Sequence, residues 1–243
     1  MQPTREWLEK WKKVKDKLQA PRNLEDYFTL KEIAGEKLDV LNIGTCSIPS
    51  GKLVAGDSLV TLPDENLIPY IQETPIGEFP VDICVLTNHD RYAAIRIKFN
   101  DNKAVYFENG MKGNEDLEGE IKEGDFYGFG VDAGMASITD IEVQKAYHKF
   151  EKKFSELNED GDLYNDYFWD LLEENAKEFP KYQAEYGDWL NWNIPDTKYT
   201  IPICASGWGD GYYPVYFGYD ENNNICQVVV HFIDIDLEFS EEK

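Results

Sequence analysis

The chain has 243 residues, of which 42% are hydrophobic and 14% aromatic, so it can bury a sizeable core. Its formal net charge of −23 repels nucleic acid and anionic membranes and attracts basic partners. We therefore expect neither a nucleic-acid nor a membrane partner, although the same charge also serves plain solubility.

The cysteines indicate a reducing compartment. Four occur, none in a CxxC pair, and each lies in or next to an apolar, strand-like stretch (Cys46, Cys84, Cys204 and Cys226). They are typical of small buried apolar residues rather than of a disulfide framework. No apolar run reaches the roughly 20 residues of a membrane span, and the N-terminus lacks the apolar region of a signal peptide. The expected location is the cytoplasm.

Residues 1–35 form a predicted N-terminal helical segment. Between Pro3 and Leu18, Trp7, Trp11 and Val14 recur at helical spacing and predict an amphipathic helix with a lysine-rich outer face. A basic amphipathic helix can lie on a membrane surface. We expect this one to pack on its own domain, with its positive face against the acidic body.

The next part of the chain is strand-like. Three strands are expected at residues 81–86, 92–99 and 104–108, and their short connections predict an antiparallel meander. Apolar and polar residues alternate from Ile95 onward, which predicts one solvent-facing side for the second strand.

A helical hairpin is predicted as an insert at residues 139–180. Thr139 and Glu142 have the spacing of a capping box, and one apolar face follows them as far as Leu157. A second helix is expected at about residues 163–179. Further strands then complete the sheet, so we predict one α+β domain over residues 1–243: an antiparallel sheet with the N-terminal helix and the inserted hairpin.

The most unusual stretch is ICASGWGDGYYPVYFGY, residues 203–219. Its alternate glycines permit positive φ and close approach by another segment. Pro214 cannot donate to a ladder, so the strand after the glycines is expected at an edge or with a bulge. An edge strand would also allow a structural oligomer to form through it.

Two interpretations of this stretch remain open. Asp210 can bond local backbone N–H groups in an ordinary tight corner. Alternatively, Trp208, Asp210, Tyr212 and Tyr216 present an exposed contact patch to a ligand or partner.

Aspartates form the one enzymatic possibility. Asp57, Asp132 and Asp210 each follow a glycine-bearing strand end, in AGD, GVDAG and GWGD. Converging carboxylates could hold a divalent cation or act as an acid–base pair, whereas separate turns would do neither. Asp57 and Asp132 therefore join the candidate binding residues.

No recognised catalytic pattern occurs elsewhere. His89, His148 and His231 are far apart and lack metal-ligand spacing, and no GxSxG elbow is present. We predict no catalytic residue, metal site or cofactor, and the sequence favours a binding protein over an enzyme.

Four strings resemble a bacterial family known only as a domain of unknown function: IPSGKLVAGD, FPVDICV, GFGVDAG and SGWGDGYYPVYFGYDENN with VVVHF. The resemblance spans Ile48 to Phe232, with the helical hairpin as a variable insert. It implies no established activity. Its members look like accessory proteins encoded beside bacterial toxin genes, which implies an immunity role. The family favours an acidic residue where His231 stands, which weakens a carboxylate-cluster mechanism here.

The expected function is therefore that of an acidic binding protein, an immunity protein that neutralises a basic bacterial toxin. The alternative is a metal-assisted hydrolase or small-ligand binder that uses the strand-end aspartates.

Overall fold

The computed structural model describes residues 2–240. Within them the α-helices are α1 (Arg5–Val14), α2 (Asp26–Thr29), α3 (Ile141–Leu157), α4 (Trp169–Glu178) and α5 (Ile235–Phe239). The strands are β1 (Glu32–Ile33), β2 (Glu36–Ile48), β3 (Leu53–Asp57), β4 (Gly77–Leu86), β5 (Arg91–Lys98), β6 (Tyr106–Asn109), β7 (Gly128–Val131), β8 (Met135–Asp140), β9 (Trp189–Asn193), β10 (Thr200–Ala205), β11 (Gly211–Tyr219) and β12 (Ile225–His231). The expected α+β class is confirmed.

The strands form two antiparallel sheets. The larger has the order β1-β2-β4-β5-β12-β11-β6, with β7 also paired to β11, and the smaller has the order β3-β8-β10-β9. The predicted meander is correct for β4 and β5, but β6 pairs with β11 rather than with β5. The C-terminal strand β12 occupies the place beside β5 instead.

The smaller sheet lies between the larger sheet and the inserted helices. Its side chains alternate: Leu53 and Ala55 of β3 join the apolar cluster of the larger sheet, whereas Val54 joins the cluster of α3 and α4. The same alternation separates Ala136 of β8 from Met135. Because both faces of this sheet are covered, its strands consist largely of buried residues.

The N-terminal helix packs on its own protein, as predicted. Trp7 is buried in a cluster with Met111 and Leu117, and its indole N–H donates to the carbonyl of Glu115 at 3.0 Å. Lys10, on the outer face, pairs with Glu118 of the loop between β6 and β7. Among residues 2–240, no helix combines the length and apolar character needed to cross a membrane.

The helical hairpin is present, with a π-helical turn at Tyr164–Phe168 leading into α4. Its predicted cap is off by one residue. The carboxylate of Asp140 caps α3 by accepting the N–H of Glu142 at 2.8 Å, because β8 continues through Thr139 and turns that side chain into the protein.

The edge prediction for β11 holds only for its first half. Gly211–Pro214 pairs with β7 alone, whereas the stretch after Pro214 lies between β12 and β6. Pro214 thus stands where the neighbour changes from β7 to β6. The side-chain amide of Asn109 fills the gap between those two strands, since it accepts the N–H of Tyr127 at 2.7 Å and donates to its carbonyl at 2.9 Å.

The predicted solvent-facing side of β5 is wrong. Arg96 is only 7% exposed, because the Phe28 ring of α2 lies 4.2 Å from its guanidinium. The guanidinium donates to Asp82 at 2.7 Å, so a buried ion pair replaces the expected contact with water.

Candidate functional site

The glycine-rich stretch forms a tight turn between β10 and β11. Gly207 and Gly209 have φ of +54° and +112°, a region that strongly favours glycine. The hydroxyl of Tyr213 donates to the carbonyls of Ser206 and Gly209, at 3.0 and 2.7 Å, and the Ser206 hydroxyl also donates to that of Gly209. These bonds hold the turn as a rigid corner.

Trp208 projects from this corner and is 51% exposed. Its ring lies 5.8 Å from the Arg91 guanidinium and meets the His89 ring edge-on at 6.0 Å. Trp208, Arg91, Asp90 and Asp188 line a pocket of about 210 Å³, which we call the Trp208 pocket. Sequence reasoning missed the other three residues, because they come from distant turns.

Tyr212 is 54% exposed and stacks on Phe126, with 6.0 Å between the ring centroids and 18° between the planes. Its hydroxyl accepts the N–H of Gly128 at 2.9 Å, which fixes the ring against β7. Asp210 is exposed as well, and its side chain forms no hydrogen bond within the described part of the chain. The tight corner is therefore present, but Asp210 does not hold it together.

Tyr212 and Phe126 form one wall of a groove of about 410 Å³, which we call the Tyr212 groove. Three carboxylate residues also line it: Asp116, Glu120 and Asp125. All three are exposed. Sequence reasoning named none of these three residues, and the run of acidic residues in their segment was the available signal.

Tyr216 has a different environment. It is 1% exposed and lies in the main apolar cluster, with its ring 6.4 Å from that of His231. Burial raises the pKa of Tyr216 well above its usual value. The structure thus places Tyr216 in the core and leaves Trp208 and Tyr212 at the surface.

The three aspartates converge only in part. The pairing of Gly211 with Val131 brings Asp210 and Asp132 to adjacent strand ends. Asp57 contacts the turn that contains Asp132 from the protein interior. One of its carboxylate oxygens accepts the N–H groups of Asp132 and Ala133, at 2.8 and 2.6 Å.

The carboxylate of Asp57 is fully occupied by backbone donors. Its second oxygen accepts the N–H groups of Leu59 and Val60, at 2.8 and 3.0 Å, and the residue is 0% exposed. Both oxygens therefore hold turns in place. Over residues 2–240, no group of three or more His, Cys, Asp or Glu side chains is arranged to hold a metal ion.

A second buried carboxylate, that of Asp140, holds the turn that the IPSGK string forms. Asp140 accepts the N–H groups of Ser50 and Gly51, both at 2.9 Å, in addition to that of Glu142. Gly51 has φ of +76°, so this turn also favours glycine. The Asp140 turn and the Asp57 turns lie at opposite ends of the paired strands β3 and β8, so a buried carboxylate holds the backbone at each end of this pair.

One family model matches the chain, over residues 46–230, and its description is "Protein of unknown function (DUF4241)". Neither a curated protein nor a solved structure matches. The match includes the glycine-rich corner, Asp57, Asp132 and both exposed aromatic residues, Trp208 and Tyr212. Because the model covers well over half of the sequence, the chain belongs to the DUF4241 family.

Proposed function

We propose that this protein binds a basic protein and that the partner is a bacterial toxin, which binding neutralises. The observation that carries the proposal is the Tyr212 groove, where the exposed Tyr212–Phe126 stack stands beside three exposed carboxylates. This combination suits a lysine or arginine side chain of a partner.

The chemistry of the groove favours a cation. A lysine or arginine over an aromatic face gains about 0.5–2 kcal/mol, depending on how well it is desolvated. Carboxylates such as Asp116, Glu120 and Asp125 add charge-assisted hydrogen bonds. Between Met111 and Tyr127 there are six acidic residues and two lysines, so the local field attracts positive charge.

The overall charge supports the same partner. A net charge of −23 accelerates association with a basic protein and repels acidic ones. Such steering weakens as salt rises, because the Debye length is about 8 Å at physiological ionic strength.

Trp208 provides a second contact on the same corner. Tryptophan and tyrosine are over-represented among the residues that dominate binding energy at protein interfaces. Trp208 and Tyr212 flank a turn held by the Tyr213 hydroxyl, so little ordering is needed when a partner binds.

The toxin-neutralising role extends this binding role. An inhibitor that acts by occupying its target needs a complementary surface and no reacting group. The resemblance to accessory proteins encoded beside toxin genes motivates this choice among basic partners. The proposal also places the protein in the cytoplasm, where a cell would keep such an inhibitor.

The test is affinity capture from the native host with wild type, Tyr212→Ala and Tyr186→Ala. Tyr186 is the matched control, because it is also 54% exposed and stands by the inserted helices against Trp169. We expect wild type and Tyr186→Ala to retain one basic protein, and Tyr212→Ala to bind it at least about tenfold more weakly.

Expression of the captured protein alone should then arrest growth, and co-expression of wild type should restore it. An acidic partner, or binding unaffected by salt and by Tyr212→Ala, would refute the proposal. A basic partner that is harmless to cells would refute the toxin role alone.

A further inference from the structure

A second cavity borders the Tyr212 groove and has a different character. It occupies about 310 Å³, and Tyr127 and Tyr212 line both it and the groove. Its other walls include Tyr70, Lys112 and Glu115, and we call it the Lys112 pocket. Its volume is at the lower end of the range for small-molecule sites, which is roughly 300–1,000 Å³.

Tyr70 lines this pocket and carries an unpaired hydroxyl. Tyr70 is 3% exposed, and its buried hydroxyl has no hydrogen-bond partner in the described part of the chain. Leaving such a group unpaired costs free energy, which a ligand that accepts its hydrogen bond would recover. Burial, with smaller contributions from Tyr212 and Glu115, raises the pKa of Tyr70, so the hydroxyl stays protonated and available as a donor.

Lys112 contributes an ammonium group without a direct partner. Burial lowers the pKa of Lys112, and Glu115 offsets this only in part. Within residues 2–240 its Nζ atom forms no hydrogen bond or ion pair. A half-buried ammonium of this kind is stabilised by an incoming anion.

The Glu115 carboxylate does not form an ion pair with the Lys112 ammonium group. Its carboxylate accepts the backbone N–H groups of Lys112, Gly113 and Asn114, the last two at 2.9 and 3.1 Å. These bonds stabilise the turn and spread the carboxylate charge over the backbone dipoles. Lys112 and Tyr70 therefore line one cavity, and each carries a donor group without a partner in the described part of the chain.

We infer that the Lys112 pocket binds a small molecule through its carboxylate, which accepts hydrogen bonds from Lys112 and Tyr70. The carboxylates of Asp116, Glu120 and Asp125 line the neighbouring groove, whereas the charged residues of this pocket are Lys112 and the backbone-bonded Glu115. One cation in a protein of net charge −23 matches a monoanion better than a phosphate. The rings of Tyr127 and Tyr212 suit a short apolar or planar body on the ligand.

The test is titration calorimetry of the full chain with benzoate as the probe, and with benzylammonium as a probe of similar shape and opposite charge. Tyr70→Phe removes only the hydroxyl, and Lys112→Met removes the charge while keeping the length. Lys122→Met is the matched control, because Lys122 is an exposed lysine of the same loop between β6 and β7.

We expect wild type and Lys122→Met to bind benzoate at millimolar concentration or below and to ignore benzylammonium. Each pocket variant should bind benzoate about tenfold more weakly or worse, as for a lost hydrogen bond to a charged group. Tyr70→Phe should unfold at the same or a higher temperature than wild type, since its hydroxyl has no partner in the free protein.

The inference is overturned if benzoate does not bind, if both pocket variants bind it as wild type does, or if benzylammonium binds equally well. It is also overturned if Tyr70→Phe unfolds at a clearly lower temperature than wild type, because the hydroxyl would then have an internal partner.

Discussion

The carboxylate of Asp57 accepts the backbone N–H of Asp132 at 2.8 Å and thereby ties the end of β3 to the turn after β7. The two residues lie 75 positions apart in the sequence. Their functions in the structure differ although their sequence contexts are similar: Asp57 is a buried acceptor, whereas Asp132 contributes its N–H and leaves its carboxylate in solvent.

We predict that Asp57→Asn destabilises the protein by about 2–4 kcal/mol, because an amide NH₂ would face two N–H donors in place of an oxygen. The free energy of unfolding from urea denaturation measures the change. Asp132→Asn is the control and should stay within about 0.5 kcal/mol of wild type. Equal stability of the Asp57 variant would mean that this carboxylate does not hold the turns.

A second prediction concerns the contact between β7 and β11. A Cβ atom at Gly128 would overlap the backbone carbonyl of Tyr213, whereas one at Gly130 of the same strand would meet nothing within 4 Å. Gly128→Ala should therefore cost about 2 kcal/mol or more, because a strand backbone must move.

Gly130→Ala is the control on the same strand and should be nearly neutral in urea denaturation. Because the N–H of Gly128 also donates to the Tyr212 hydroxyl, Gly128→Ala should weaken partner binding at the Tyr212 groove too. Equal stability of the two variants would contradict the close approach of β7 to β11.

The third prediction is a pH dependence of stability. Burial lowers the pKa of His231 to about 4, and the nearby charge of Asp234 only partly opposes this. The ring bonds the Tyr27 hydroxyl at 2.9 Å, and that hydroxyl also accepts the N–H of Ile235 at 3.0 Å.

In the unfolded chain the pKa of histidine is about 6.5. Between that value and the folded pKa, the unfolded state binds more protons than the native state, so stability falls as pH drops from about 6.5 to 4. The loss is on the order of 3 kcal/mol. Urea midpoints across this range should fall for wild type and change less for His231→Gln. Parallel pH profiles would show that folding does not lower the pKa of His231.

The fourth prediction concerns thiol reactivity. All four cysteines are free and 0% exposed, as the sequence predicted. Burial raises the pKa of Cys226 to about 11 and that of Cys84 to about 12, which leaves almost no thiolate at neutral pH. A thiol reagent such as Ellman's should label none of them in the native protein and all four in denaturant. Fast labelling of any thiol in the native protein would contradict the packing described here.

Local patterns in the sequence were sufficient for most elements of the fold, although not for the short helix α5. Helical spacing predicted α1 and the inserted hairpin, and apolar runs predicted most of the strands, because these patterns depend on neighbours a few positions away. The glycines at Gly207 and Gly209 similarly indicated a tight corner.

Pairing and burial depended on distant contacts. Alternation along a strand places Tyr212 and Tyr216 on the same face, yet one is exposed and the other buried, because β11 changes neighbours at Pro214. The position of β6 beside β11, and the joining of Asp116 to Tyr212 in one groove, also bring together segments far apart in the chain.

The sequence by itself therefore determined the α+β class, the N-terminal helix and inserted hairpin, the buried thiols and the anionic character of the surface. Only the tertiary structure decided which aspartates hold turns, which aromatic rings face solvent, and that an unpaired Tyr70 hydroxyl shares a cavity with Lys112. The physical reason is that propensity and charge belong to individual residues, whereas exposure and hydrogen-bond partners depend on what the folded chain places beside them.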